Sequence, residues 1–463
     1  MEQVNEQKLG NPLGYAPVGK LLKQFALPAV ISMLVNALYN IVDQIFIGQG
    51  VGYLGNAATT VAFPIVTIVL AVSTLLGAGG SSYAAIKLGE KKEKEAERTL
   101  GNVFALLVVI GVVCAAIGLI FLEPILKVFG ATPNNMSYAK EYASIILLGT
   151  PFNMLGVGLS NLCRTDGSPK FSMYSMLIGA VLNTILDPVY IFVFHWGVTG
   201  AAIATIASQF FSAILTLIAL LRTQDSYRLI VSKIRFHRDL LFDIIKIGLP
   251  AGLQSAMYSI SNLLIQSSIN SFGTDTIAAW TAYGKVDSIF WMIMGAYGVS
   301  ITTFAGQNFG AGKYDRIKKS VRICLGLAAV TSLFLSFIVL NFGGTILLLF
   351  TRDANVINIC IGMMRVVSPA YITYICIEIL SGTCRGCGDS FFPMLLTCFG
   401  VCVLRILWIT IAVPLRHEVA TVAFSYPLTW TITSILFILY YKRGKWMQKD
   451  TLRNAPQGQG KDA

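Results

Sequence analysis

The stretch VNALYNIVDQIFIGQG, residues 35–50, places Asn36, Asn40 and Asp43 at i, i+4 and i+7, with Gln44 beside the acid. On a helix the first three share one face. A second segment, VLNTILDPVYIF at 181–192, repeats the pairing: Asn183 and Asp187 are four apart, and Pro188 follows directly. Pro188 has no amide hydrogen, so the carbonyl of Thr184 loses its helical partner and a kink is expected. A freed carbonyl beside a carboxylate and an amide is an oxygen nest for a small cation, and equally a place for water and a proton. Two carboxyl groups from different helices in one dry cavity repel each other and lose solvent. That disfavours double ionisation and makes proton exchange part of their chemistry.

Both acids sit in apolar sequence. An ionised carboxylate at a bilayer centre costs on the order of 2.5–3.5 kcal/mol. Asp43, Asp187, Asp287 and Glu378 are the deepest acids of the chain. They could be structural groups bonded to neighbouring helices, but for Asp43 and Asp187 together the cost favours a pathway role. Lys285 and Asp287 in AYGKVDSIF are two apart and point in different directions. Glu378 in YICIEILSG stands alone, with Arg405 as a partner or a snorkelling side chain. For these residues structural and functional roles both stay open. Trp280, Phe290, Trp291, Met292, Met294 and Tyr297 form an aromatic and methionine-rich stretch, mostly packing, though such walls suit promiscuous apolar ligands. Asn36, Asn40, Gln44, Lys285, Asp287, Met292 and Glu378 are the candidate lining of a substrate cavity.

The elements that must position these groups are membrane helices. The chain of 463 residues is 55% hydrophobic and 13% charged, against about a quarter charged in soluble proteins, and its mean hydropathy is +0.68. Twelve apolar runs of spanning length are expected. The first is 23–48, the fourth 138–163, the fifth 170–194, the seventh 241–271 and the last 417–441. The net charge of +12 reflects loop composition rather than nucleic-acid binding. On one side the termini and alternate loops hold 28 Lys and Arg; the other loops hold only Lys127, Lys140, Arg352 and Arg416. That asymmetry places both termini in the cytoplasm. No cleavable signal is expected, since the first twenty residues are polar. The nine cysteines show no framework, and CRGC at 384–387 reads as a helix end, so reduced thiols and no cofactor are expected.

The chain repeats itself. LLGAGGSSYAAIKLGE (75–90) aligns with AYGVSITTFAGQNFGA (296–311), and CRTDG (163–167) with CRGCG (384–388), at an offset of 221. An even number of helices per repeat keeps both repeats parallel, a common transporter plan. The expected fold is an all-α polytopic membrane protein, twelve transmembrane helices in two parallel six-helix lobes. The expected divisions are an N-terminal segment 1–22, a lobe 23–221, a linker 222–240, a lobe 241–441 and a tail 442–463. RDLLFDIIKIG (238–248) reads as an amphipathic helix on the cytoplasmic face.

QNFGAG (307–312), LNTILDP (182–188) and GVTGAAIAT (197–205), together with the twin sixes, resemble the prokaryotic multidrug and toxic compound extrusion family over residues 15–445. The resemblance implies export of amphiphilic, often cationic compounds by alternating access, in exchange for protons or sodium ions. It implies an N-lobe cation site, coupling H+ or Na+, at Asp43, Tyr142, Asn183, Asp187 and Thr205. A sodium ion would lie at Asp43, Asn183, Asp187 and Thr205. Tyr142 and Thr205 enter through the resemblance alone. The acids that one branch carries in helices 7 and 10 are not matched: 251–271 has no acid, and the helix-10 position holds Tyr374, with Glu378 one turn on.

The expected protein is therefore a monomeric efflux antiporter of a bacterial or archaeal cytoplasmic membrane. Its partners are small drug-like substrates, H+ or Na+ and the lipid bilayer, without nucleic acid. The alternative is a flippase for a lipid-linked or oligosaccharide substrate, which needs cations in the cavity; Lys285 and Arg405 are the candidates. A passive channel would show a ring of pore charges, which is not visible. An enzyme is not expected: there are three histidines, no nucleophile motif and no nucleotide loop.

Overall fold

The computed structural model describes residues 17–165, 169–222, 227–230, 234, 236–444 and 446–447, apart from the side chains of Asn40 and Tyr53. Most of the expected N-terminal segment and tail, and part of the linker, lie outside them. The described residues are helical throughout the long apolar runs. Among the described residues eleven helices are long and apolar enough to span a membrane, and one bent pair, taken as a single span, makes twelve. Their outward faces stay apolar: Leu38, Phe63, Val112, Ile185, Val330 and Phe337 are exposed. That surface is stable only against lipid.

The chain divides into two compact units. One holds Lys23–Gly252; the other holds the chain from Leu253 on, with the first residues of α1 up to Leu22. The first unit carries α1 (Val18–Gly50), α2 (Tyr53–Gly89), α3 (Glu93–Ile120), the short α4 (Leu122–Val128), α5 (Met136–Leu148), α6 (Thr150–Thr165), α7 (Pro169–Pro188) and α8 (Gly197–Arg222). Helix α9 (Arg238–Asn270) runs from the first unit into the second. The second unit continues with α10 (Thr274–Gly310), α11 (Tyr314–Leu347), α12 (Ala354–Val367), α13 (Tyr371–Gly386), α14 (Phe391–Thr397), α15 (Leu404–Leu415) and α16 (Val419–Arg443).

The two units pack by one rule. In the first, α2 lies against α3 and α6, α3 against α6, and α6 against α8. In the second, α10 lies against α11 and α13, α11 against α13, and α13 against α16. Lipid provides no hydrophobic drive between helices, so close packing and interhelical hydrogen bonds hold them. Ser73 Oγ donates to the Met154 carbonyl at 3.0 Å across α2 and α6, and Thr302 Oγ1 to the Gly382 carbonyl at 2.9 Å across α10 and α13.

Three local outcomes differ from the expectations. The fourth span bends by 51° between α5 and α6. Pro151 lacks the amide that would bond the Leu147 carbonyl, and Gly149 sits at the break. The fifth span passes Pro188 through a π-helical turn at Val189–Val193, closed by Phe194 N–H on the Val189 carbonyl at 3.0 Å. The segment 238–248 is no separate surface helix but the opening turns of α9: Ile244 and Ile247 are fully buried.

Those turns cross α2 closely. A methyl on Gly248 would overlap the Leu75 carbonyl, with Gly79 Cα at 3.3 Å. The neighbour is backbone and cannot rotate away, so Gly248→Ala should cost about 1–3 kcal/mol. A detergent melt of the variant reads this as a lowered Tm; an unchanged Tm would show that the helices separate freely at this crossing.

Candidate functional site

Asp43 of α1 and Asp187 of α7 lie beside each other inside the first unit. Asp43 is 6% exposed and Asp187 is fully buried. Their carboxyl groups are electrostatic neighbours. Asn183, one turn before Asp187, is also buried and donates Nδ2 to Asp187 Oδ1 at 3.4 Å. Helical spacing alone produces this bond, since residues four apart stack on one face. Tyr142 of α5 is buried beside them, with Asp43, Asp187 and Tyr39 as its electrostatic neighbours.

The decisive feature is an imbalance of donors and acceptors. Asp43 Oδ1, Asn183 Oδ1 and Asp187 Oδ2 are all buried, and none has a hydrogen-bond donor among the described residues. Buried acceptors are ordinarily satisfied, and each orphan costs about 1–3 kcal/mol. Three orphaned oxygens on two neighbouring acids and an amide call for an electrophile, either a proton or a small hard cation. Among the described residues no trio of His, Cys, Asp and Glu is grouped for a metal, so carboxylate, amide and hydroxyl oxygens would share the work.

The other expected members are placed unevenly. Thr205 sits half-buried on α8, which packs along α7, and its hydroxyl makes no hydrogen bond among the described residues. Gln44 is exposed and accepts from Thr59 Oγ1 at 3.2 Å. Asn36 is half-buried. The side chain of Asn40 lies outside the described residues.

The second unit treats its acids differently. Asp287 is 7% exposed and saturated: Tyr283 Oη donates to it at 3.0 Å, Tyr371 Oη at 2.7 Å and Trp291 Nε1 at 2.6 Å. Glu378 accepts Tyr374 Oη at 2.9 Å, and its carboxyl occupies the space that a side chain on Gly298 would need. Arg405 is 2% exposed, lies 4.1 Å over the Tyr426 ring and donates Nη2 to Thr429 at 3.3 Å. Phe290 stacks on Tyr371 at 3.9 Å, and Trp430 closes the cluster against Trp291 and Tyr374. Lys285 is exposed, 5.3 Å from the Phe350 ring centre, and Met292 is half-buried. Sequence reasoning missed Tyr283 and Tyr371, and named Tyr374 without its bond to Glu378. Tyr283, Asp287 and Trp291 at successive i, i+4 positions, and Tyr374 with Glu378, were the available signal.

Comparison with known proteins follows the same outline. The family model described as MatE matches residues 28–189 and again 250–411. The two matches are one per repeat. A "Probable multidrug resistance protein YoeA" of Bacillus subtilis is 24% identical over 464 residues, 98% of this chain and 99% of the relative. A "Multidrug export protein MepA" of Staphylococcus haemolyticus is 26% identical over 351 residues, 75% of this chain and 76% of the relative. Among solved structures, the outward-facing conformation of a multidrug resistance MATE family transporter of the MOP superfamily superposes with a TM-score of 0.89 at 22% identity. It covers 96% of this chain and 99% of that one. A MOP superfamily transporter from Pyrococcus furiosus gives 0.88 at 22% identity over the same shares. These structures bear on the fold, which is a polytopic all-α transporter fold.

Proposed function

This chain belongs to the MatE family, and from that premise we propose that it is a multidrug efflux antiporter exporting amphiphilic, cationic compounds in exchange for H+ or Na+ by alternating access. The B. subtilis and Staphylococcus relatives, a probable multidrug resistance protein and a multidrug export protein, support export of drug-like compounds. The observation that carries the coupling is the set of donor-less buried oxygens on Asp43, Asn183 and Asp187. Two carboxyl groups in contact are stable only with a proton or cation between them; bare, they repel. Asp43 and Asp187 therefore carry the exchangeable charge. Asn183 supplies a neutral oxygen, Tyr142 walls the pair from solvent, and Thr205 offers a hydroxyl from the adjacent helix.

Coupling requires that the ion bind one conformation better than the other. A charge crossing 100 mV releases about 2.3 kcal/mol, enough to bias a two-state cycle. Asn36, Gln44 and Met292 are proposed to contribute to the substrate path, and both termini to face the cytoplasm. Arg405 is held by Tyr426 and Thr429, and Lys285 lies over Phe350, which favours export of cations over carriage of a pyrophosphate.

The test is movement of a fluorescent cationic dye in proteoliposomes under an imposed proton gradient or an imposed sodium gradient, wild type beside Asp43→Asn. One gradient should drive dye and the variant should lose that drive. Dye movement driven equally well in the variant, or by neither gradient in folded wild type, would overturn the assignment.

A further inference from the structure

The second unit carries a cavity lined by none of the residues proposed above for coupling or for the substrate path. Its volume is about 480 Å³, within the range that small ligands occupy. It lies at the ends of two spanning helices: Lys318 and Arg322 come from the first turns of α11, and Lys442 from the last turn of α16. Lys318 and Arg322 are four apart and share a face. No acid lines the cavity, and none of the three cations forms an ion pair among the described residues.

The chain beyond α16 builds the far wall. It folds back so that Trp446 is 2% exposed, stacked on Tyr441 at 4.8 Å with its Nε1 donating to the Tyr441 carbonyl at 2.9 Å. The remaining lining is apolar and includes Leu325, Leu380 and Ile438. One end of the cavity is therefore cationic and the rest greasy.

The internal repeat provides a control within the same molecule. In the first unit residues 227–230 also lie against the end of α8, with Leu229 N–H on the Leu220 carbonyl at 3.0 Å and Tyr227 fully buried. It leaves a cavity of about 240 Å³ lined by Lys94, Glu97, Arg98, Gly101 and Ile230. At the offset of 221, Glu97 and Gly101 stand where the second unit has Lys318 and Arg322. The construction is shared, but Lys318 and Arg322 line the second cavity at the positions where Glu97 and Gly101 line the first.

We infer that this cavity of the second unit binds the phosphate headgroup of an anionic membrane phospholipid, with Lys318, Arg322 and Lys442 around the phosphate and the apolar wall against the glycerol and first acyl carbons. Basic pockets at the ends of spanning helices recognise anionic headgroups by charge, at about fivefold per nearby cation. Free phosphate would use the same three cations, but it would leave the apolar wall in contact with water. The aromatic pair at Tyr441 and Trp446 belongs at the headgroup level, where one end of such a ring is greasy and the other wet. The inference is independent of the coupling ion.

The test is native mass spectrometry of the whole purified protein titrated with phosphatidylglycerol, phosphatidylcholine or inorganic phosphate. Phosphatidylglycerol should bind at least about tenfold tighter than phosphatidylcholine. Inorganic phosphate should fail to displace it. The triple variant Lys318→Gln, Arg322→Gln, Lys442→Gln should lose the preference, while Lys94→Gln with Arg98→Gln should keep it. If the triple variant misfolds, Arg322→Gln beside Arg322→Lys repeats the comparison, with loss expected only in the first. Equal affinity for the two lipids in wild type, displacement by inorganic phosphate alone, or equal loss in the first-unit variant would overturn the inference.

Discussion

Asp187→Asn is expected to abolish ion-driven export and to leave the protein at least as stable as wild type. The side chain keeps its shape, and Asn183 keeps an acceptor in place of the 3.4 Å bond to Oδ1. What is lost is one negative charge. What is gained is an amide hydrogen next to Asp43, whose Oδ1 has no donor. The new bond and the relief of carboxylate repulsion should raise stability by about 1 kcal/mol. Export falls for the opposite reason. At one-for-one exchange, a roughly tenfold gradient of the coupling ion sustains about a tenfold opposing ratio of substrate, and a site that no longer exchanges the ion sustains none. Dye accumulation in energised proteoliposomes and a detergent melt read the two halves separately. A variant that pumps to the wild-type ratio would remove Asp187 from the coupling site. A variant that loses several degrees of Tm along with export would make Asp187 a structural group. Stability traded for activity is the pattern expected of a functional acid.

Helical spacing explains how much of this site was readable beforehand. Asn183 and Asp187 lie four apart on a helix, and the periodicity fixes their shared face without further information. The two-lobed, all-α membrane fold was readable for a similar reason, because a spanning segment must be long, apolar and internally bonded. Contacts between helices were not readable. No spacing ties Tyr142 to Asp43, and nothing local shows that Tyr371 reaches across to Asp287, 84 residues away. The bend at Gly149 and Pro151 was written in the sequence, but an apolar run from 138 to 163 reads as one span whether straight or bent. At 238–248 the expected surface helix and the observed start of α9 have the same local pattern; only burial of Ile244 and Ile247 separates them. Lys285 and Asp287 looked equivalent as charges in apolar sequence, yet one is exposed and the other saturated with donors.

That saturation sets up the largest stability effect. Asp43 and Asp187 lack donors, whereas Asp287 receives three, from Tyr283, Tyr371 and Trp291. The guanidinium of Arg405, itself buried, lies close enough to act on its charge. Asp287→Ala therefore strands three buried donors and removes a carboxyl group from the neighbourhood of the buried Arg405. Each stranded donor costs about 1–3 kcal/mol, and breaking a buried charge arrangement about 3–5. The terms overlap, so a total of about 3–5 kcal/mol is expected, well beyond the effect at Asp187. Asp287→Asn should fall between: its oxygen still serves the tyrosines, but its amide hydrogens face the Trp291 N–H, donor against donor. Melting curves for the three proteins in one detergent should therefore order as wild type, then Asn, then Ala. If Asp287→Ala melts with wild type and yet loses export, the acid belongs to the transport pathway instead. The two units would then differ in how they hold their acids, but not in what they use them for.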